Sequence, residues 1–270
     1  MNLSEDSHVL ADHVNHSVGG LGGHAFRRFT HVSMTAIPFV YYLYGQDIAD
    51  MASLEAEQLV SAVCIMILLT EAIRIRLGIV IFGQREYEAD QISALAWGGL
   101  AVSLALLMAP GEGEGLEAGV YGIPLIVGLT LVDPVMGEIK RTKKDLKLAI
   151  YIGLAVSYAV WLTCHFWLGT HILAAILLAP LTVLGELPKT KDIDDNATMI
   201  LFPLAALMLL LPFLCVCEPV IFTIRLLLRR MMSEEESAGG IVESSVSQSG
   251  YVVVWTIASL VSFVIFFVYF

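Results

Sequence analysis

Apolar positions in this chain of 270 residues gather into long runs, and the short segments between them carry nearly all of the charge. A helix needs about 20 mostly apolar residues to cross about 30 Å of hydrocarbon. By that ruler seven or eight runs qualify, near 30–45, 58–82, 91–109, 120–137, 148–168, 171–187, 199–224 and 251–270. The pattern predicts an all-α fold, a polytopic transmembrane helical bundle. Pro38, Pro124, Pro134, Pro180 and Pro203 fall inside or at the edges of these runs, where neighbouring groups must satisfy the carbonyls that proline leaves free. Residues 1–26 are polar, rich in Gly and His, and lack an apolar stretch of signal-peptide length. Residues 233–250 are polar and rich in Gly and Ser, as a flexible linker is. Four parts are therefore expected: a polar tail over 1–26, a transmembrane domain over 27–230, a linker over 231–250 and a last transmembrane helix over 251–270.

Composition excludes several classes. The chain is 57% hydrophobic and 15% charged, with a mean hydropathy of +0.77. Soluble domains run near 45–50% apolar and about 25% charged, so neither a soluble domain nor a disordered chain fits. A net charge of −11 argues against nucleic-acid binding, which needs clustered Lys and Arg without an acidic excess. Cys64, Cys164, Cys215 and Cys217 all lie in apolar runs, as small buried residues do, and form no disulfide framework.

The charges also orient the chain, because short cytoplasmic loops collect Lys and Arg. The segments 46–58 and 110–119 hold seven acids and no Lys or Arg, so they are expected outside. Twelve of the fifteen cations fall on the opposite face, which places the N-terminus in the cytoplasm. Arg225, Arg229 and Arg230 do not follow this alternation, as a re-entrant or split helix in that region would produce.

Ionisable residues that border membrane spans are costly, and so they are candidates for function. Four groups are expected at the cytoplasmic face: Arg27, Arg28 and His31; Glu71, Arg74 and Arg76; Asp133 and Glu138 with the Lys140–Lys147 run; and Glu186 with Asp192, Asp194, Asp195 and Asn196. Carboxylates with an amide suit a hard cation such as Mg²⁺, and Arg and Lys suit phosphate, so the set fits a cation-bound nucleotide meeting a lipid head group. Each group also has a plain structural reading: a topology anchor, an intrahelical pair, a solvated basic loop and a helix cap.

The segments RRFTHVSMTAIPFVYY (27–42), TEAIRIRLG (70–78), LVDPVMGEIKR (131–141) and GELPKTKDIDDNATMILFPLA (185–205) resemble, in that order, the landmarks of the CTP-dependent polyprenol kinases, the group of dolichol and phytol kinases. The most specific match is Glu186, Asp194, Asp195, Asn196 and Pro203. The chain is a divergent relative, with Val132-Asp133 where the family has Gly-Asp and no Glu-Gly-Ser after the lysines. The resemblance implies an integral membrane enzyme that transfers the γ-phosphoryl of CTP to a long isoprenoid alcohol at the cytoplasmic face. It implies Asp194, Asp195 and Asn196 as Mg²⁺ ligands with Asp133 beside them, Arg28, His31, Arg74, Lys140 and Lys144 on nucleotide phosphates, and Asp133 or Glu186 as the catalytic carboxylate. A cytidylyltransferase that makes a CDP-lipid uses the same parts, and Lys140-Arg141 with Lys144-Asp145 is faintly similar to that family's signature. A transporter or a non-catalytic lipid- or nucleotide-binding protein is the alternative from another class.

Overall fold

A computed structural model describes residues 17–111, 113–188 and 193–212. Eight helices run through them: α1 Gly20–Ser33, α2 Ala36–Asp50, α3 Ala56–Leu77, α4 Ala94–Met108, α5 Gly122–Lys143, α6 Leu146–Leu168, α7 Ile172–Gly185 and α8 Asp195–Pro212. Short 3₁₀ turns cover Glu86–Ala89 and Gly115–Gly119. The described residues contain no strand beyond an isolated bridge between Ser17 and Arg85. Two compact units divide the chain at Ala205 and Ala206. The first holds every element discussed below except the end of α8. The linker expected over 231–250, the last helix over 251–270 and the three anomalous arginines lie outside the described residues.

The all-α expectation holds for the described residues, but the span count is smaller there. Four helices are long and apolar enough to cross a membrane: α3, α5, α6 and α8. The runs at 91–109 and 171–187 yield shorter apolar helices, α4 and α7, of 15 and 14 residues. The run at 30–45 is not one helix, because the chain breaks between α1 and α2 at Met34–Thr35. Pro38 explains the break. A proline has no amide hydrogen and its ring clashes with the carbonyl four residues back, here that of Met34, so it sits most easily in the first turn of a new helix, where Pro38 lies in α2. The Thr35 hydroxyl then bonds the Thr130 hydroxyl at 2.7 Å, tying the junction to α5. Residues 20–26 of the expected polar tail are the first half of α1.

α5 is the central helix, in contact with α1, α2, α4, α6 and α7. Its Leu125, Ile126, Leu129, Val132 and Met136 are fully buried. A two-residue link to α6 forces an antiparallel hairpin, and Asp145 caps α6 by accepting the Leu148 amide at 3.0 Å. Pro180, inside α7, leaves the Ile176 carbonyl without its helical amide, and the Tyr158 hydroxyl of α6 donates to that carbonyl at 3.2 Å. α3, by contrast, is peripheral. It buries Val60, Glu71 and Arg74 and exposes Val63, Ile65, Met66, Leu69 and Ile73, the face that a span turns to lipid.

Candidate functional site

Asp133, Gly137 and Lys140 follow one another at i, i+4 and i+7 and so share one face of α5, near its C-terminal half. Arg28 and His31, three apart on α1, lie against that face. Arg28 reaches the Glu138 carboxylate at 3.0 Å and donates to the Pro134 carbonyl at 3.1 Å. Its Nε donates to His24 Nε2 at 2.9 Å. Burial, with the Arg28 and Arg141 charges beside it, lowers the His24 pKa to about 4, so this imidazole is a neutral acceptor near pH 7. His31 Nε2 stands 3.5 Å from Asp133 Oδ2 and 3.4 Å from the Leu129 carbonyl.

The other half of the site comes from the turn between α7 and α8. Gly185 ends α7 against the backbone of α8: a Cβ there would stand 2.5 Å from the Thr198 carbonyl oxygen and 2.6 Å from Met199 Cα. Only glycine permits that approach, which the Thr198 hydroxyl secures by donating to the Gly185 carbonyl. The next residue, Glu186, is thereby held beside the first turn of α8. Asp133, Glu186 and Asp195 each present a carboxylate oxygen, and these oxygens all lie within 4.8 Å of one another. The Lys140 ammonium bonds Glu186 directly, with both side chains buried. Three carboxylates so close repel one another, and a cation among them would relieve that repulsion. Their all-oxygen donor set suits a hard divalent ion.

Asp194 and Asn196 are neighbours of this group with different immediate contacts. The Asp194 carboxylate accepts the Asn196 amide at 3.1 Å, capping α8. Burial first, then the charge and hydrogen bond of Asp195, push the Asp194 pKa up to about 7. The Asn196 side-chain amide donates to the Ala94 carbonyl at 3.4 Å. Of the three expected metal ligands, the structure therefore brings Asp195 together with Asp133 and Glu186, while Asp194 caps a helix and Asn196 turns toward α4.

Arg74 lies in a separate cluster. It forms a two-pronged pair with Glu71, at 3.0 and 2.8 Å, and donates to the carbonyls of Ile79 at 2.8 Å and Gln91 at 2.7 Å. Glu71 in turn accepts the Ser93 amide at 2.5 Å. Gly78, with φ +62, ends α3 in the left-handed conformation that glycine favours and lets the chain fold back under this clasp. Lys144 is exposed at the left-handed residue that ends α5, one turn beyond Lys140.

Two residues outside the expected ligand and phosphate sets also matter. Glu138 bridges Arg28 and Arg141. Glu88 receives the Arg27 guanidinium at 2.7 Å. The spacing of Glu138 from Arg141 was a readable signal, but Glu88 lies in a loop of ordinary charged composition. In comparisons with protein-family models, curated proteins and solved structures, the chain matched nothing.

Proposed function

We propose that the protein is a lipid kinase of the membrane interface, which moves the γ-phosphoryl group of CTP to the hydroxyl of an isoprenoid alcohol on the cytoplasmic side. The observation that carries this reading is the meeting of Asp133, Glu186 and Asp195 beside Lys140, with Asp133, Lys140 and Asp195 on two helices of membrane-crossing length and composition, α5 and α8. Phosphoryl transfer is mostly a matter of positioning and electrostatics, and it needs acids and bases side by side in this manner. A divalent cation such as Mg²⁺ among the three carboxylates would neutralise phosphate charge. In the reaction the alcohol oxygen forms a bond to the γ-phosphorus as the bond to the β,γ-bridging oxygen breaks, and CDP leaves with that electron pair. Asp133, steadied by His31, takes the alcohol proton. Lys140 and Arg28 attract the nucleotide phosphates, with Lys144 at the rim.

The test uses purified protein with CTP labelled in the α or the γ phosphate, Mg²⁺ and a panel of isoprenoid alcohols. Label from the γ position is expected in the lipid, and Asp195→Asn is expected to lower the rate by about 100-fold or more while the protein stays folded, since removing a transition-state electrostatic partner typically costs 10²–10³. Near-normal turnover by that variant sinks the reading, and α-label in the lipid replaces it with a cytidylyltransferase.

A further inference from the structure

Between α1, the segment 81–84 and the start of α4 lies a cavity of about 100 Å³. Phe26, Ile81, Phe82 and Leu95 line it, and each of them is also about half exposed at the surface. Phe26 and Phe82 pack against each other with ring centres 5.7 Å apart. His31, Glu88 and Asn196 line it too, all three buried. The cavity is thus apolar toward the outside and polar at its inner end.

Two oxygens at that inner end stand out. Glu88 is 2% exposed and Asn196 6%, and Glu88 Oε2 and Asn196 Oδ1 accept no hydrogen bond among the described residues. An unsatisfied buried acceptor costs about 1–3 kcal/mol, so such atoms favour a ligand that brings a donor. The charge of Glu88 is already matched by Arg27 at 2.7 Å, which removes the advantage of a cationic ligand. A phosphate has acceptor oxygens that two further acceptors would repel. A neutral donor remains. The inner wall also adjoins the carboxylate group, because His31 lines the cavity and stands 3.5 Å from Asp133.

We propose that this cavity binds the hydroxyl end of the lipid alcohol ahead of transfer, with its one hydroxyl hydrogen donated to Glu88 Oε2 or Asn196 Oδ1 until the alcohol advances past His31 to Asp133, and with the hydrocarbon leaving between Phe82 and Leu95 into the bilayer. The inference rests on the reading of the acceptor as a lipid alcohol. A cavity of about 150 Å³ accommodates benzene, so one of about 100 Å³ takes a head of roughly four or five carbons, one isoprene unit, and leaves the rest of the chain outside.

The full-length protein in lipid nanodiscs is to be irradiated with a farnesol analogue that keeps its free hydroxyl and carries a diazirine near the head. Labelling is expected within 26–34, 81–88 or 94–97, with competition by geraniol and about a tenfold loss in Leu95→Trp, which fills the mouth from an exposed position. Labelling elsewhere, no labelling, labelling indifferent to Leu95→Trp, or displacement by cytidine overturns the proposal, and the last outcome assigns the cavity to the nucleobase. CTP transfer measured on the same sample separates the two readings. Cavity labelling without γ-phosphoryl transfer refutes the kinase and keeps the alcohol site, whereas transfer with an unchanged KM for the alcohol in Leu95→Trp refutes the site and keeps the kinase.

Discussion

Glu71 with Arg74, and Asp133 with Glu186 and Asp195, are both groups of ionisable residues carried on apolar helices, yet the chain builds them in opposite ways. In the first, one acid meets one base, and the remaining donors of Arg74 go to the Ile79 and Gln91 carbonyls. Its work is to hold the 78–93 connection against α3. In the second, three acids from α5, the α7 end and α8 converge within 4.8 Å, with Lys140 and His31 at their edge. A buried pair of opposite charges closed by hydrogen bonds suits a structural role, since neither partner can be lost without stranding the other. Like charges drawn together at the meeting point of three elements cost stability, and such a cost points to function.

The sharpest way to break the comparison is Glu71→Ala. It strands the buried Arg74 guanidinium, and thermal unfolding in detergent should report a loss of about 3–5 kcal/mol. If Asp195→Asn destabilises the protein as much as Glu71→Ala, the contrast between a structural and a functional cluster fails. Gly185→Ala drives a Cβ into the Thr198 carbonyl, so it should cost about 1–3 kcal/mol in the same measurement and, by displacing Glu186, lower transfer as well.

A smaller effect is expected at Asp194. Its folded pKa, about 7, lies above the ordinary 3.8, so the fold prefers the protonated acid and loses stability as the pH rises through that window. Asp194→Asn should therefore raise the melting temperature at pH 8, with the gain shrinking toward pH 4. A gain equal at both pH values would refute the buried-acid account. His24 is the mirror case and the smallest effect. Its folded pKa, about 4, lies below 6.5, so protonation of the unfolded chain takes stability away as the pH falls from 6.5 to 4. His24→Gln should flatten that acid limb of a melting curve measured against pH.

Much of this was legible in the runs of apolar residues. The helices α3, α5 and α6 arise where unbroken runs predict them, because a long apolar stretch in a helix satisfies its own backbone. The break at Met34–Thr35 was not read, although its cause, Pro38, is in the sequence: the apolar ruler counts residues and is blind to which carbonyl a proline ring strikes. At the site, Asp133, Glu186 and Asp195 were all visible as candidates. Asp133 beside Asp195 was expected, but Glu186 as the third carboxylate was not, because adjacency in the chain suggested Asp194 and Asn196 instead, whereas α8 starts there and successive side chains diverge by about 100° around a helix. The Glu71–Arg74 pair was readable from its spacing, but the carbonyl partners of Arg74 were not, since they belong to a loop that reads as ordinary polar sequence.

The sequence by itself determined the all-helical, lipid-suited character of the chain and the inventory of its charged residues, since apolar run length and charge placement are properties of the linear order. Only the tertiary structure decided which acids meet. Glu186 reaches Asp195 because Gly185 lets two backbones touch, and both reach Asp133 because α5 runs at the centre of the fold. Distances across helices depend on packing, and packing is set by shape complementarity among residues far apart in the chain, which no local pattern encodes.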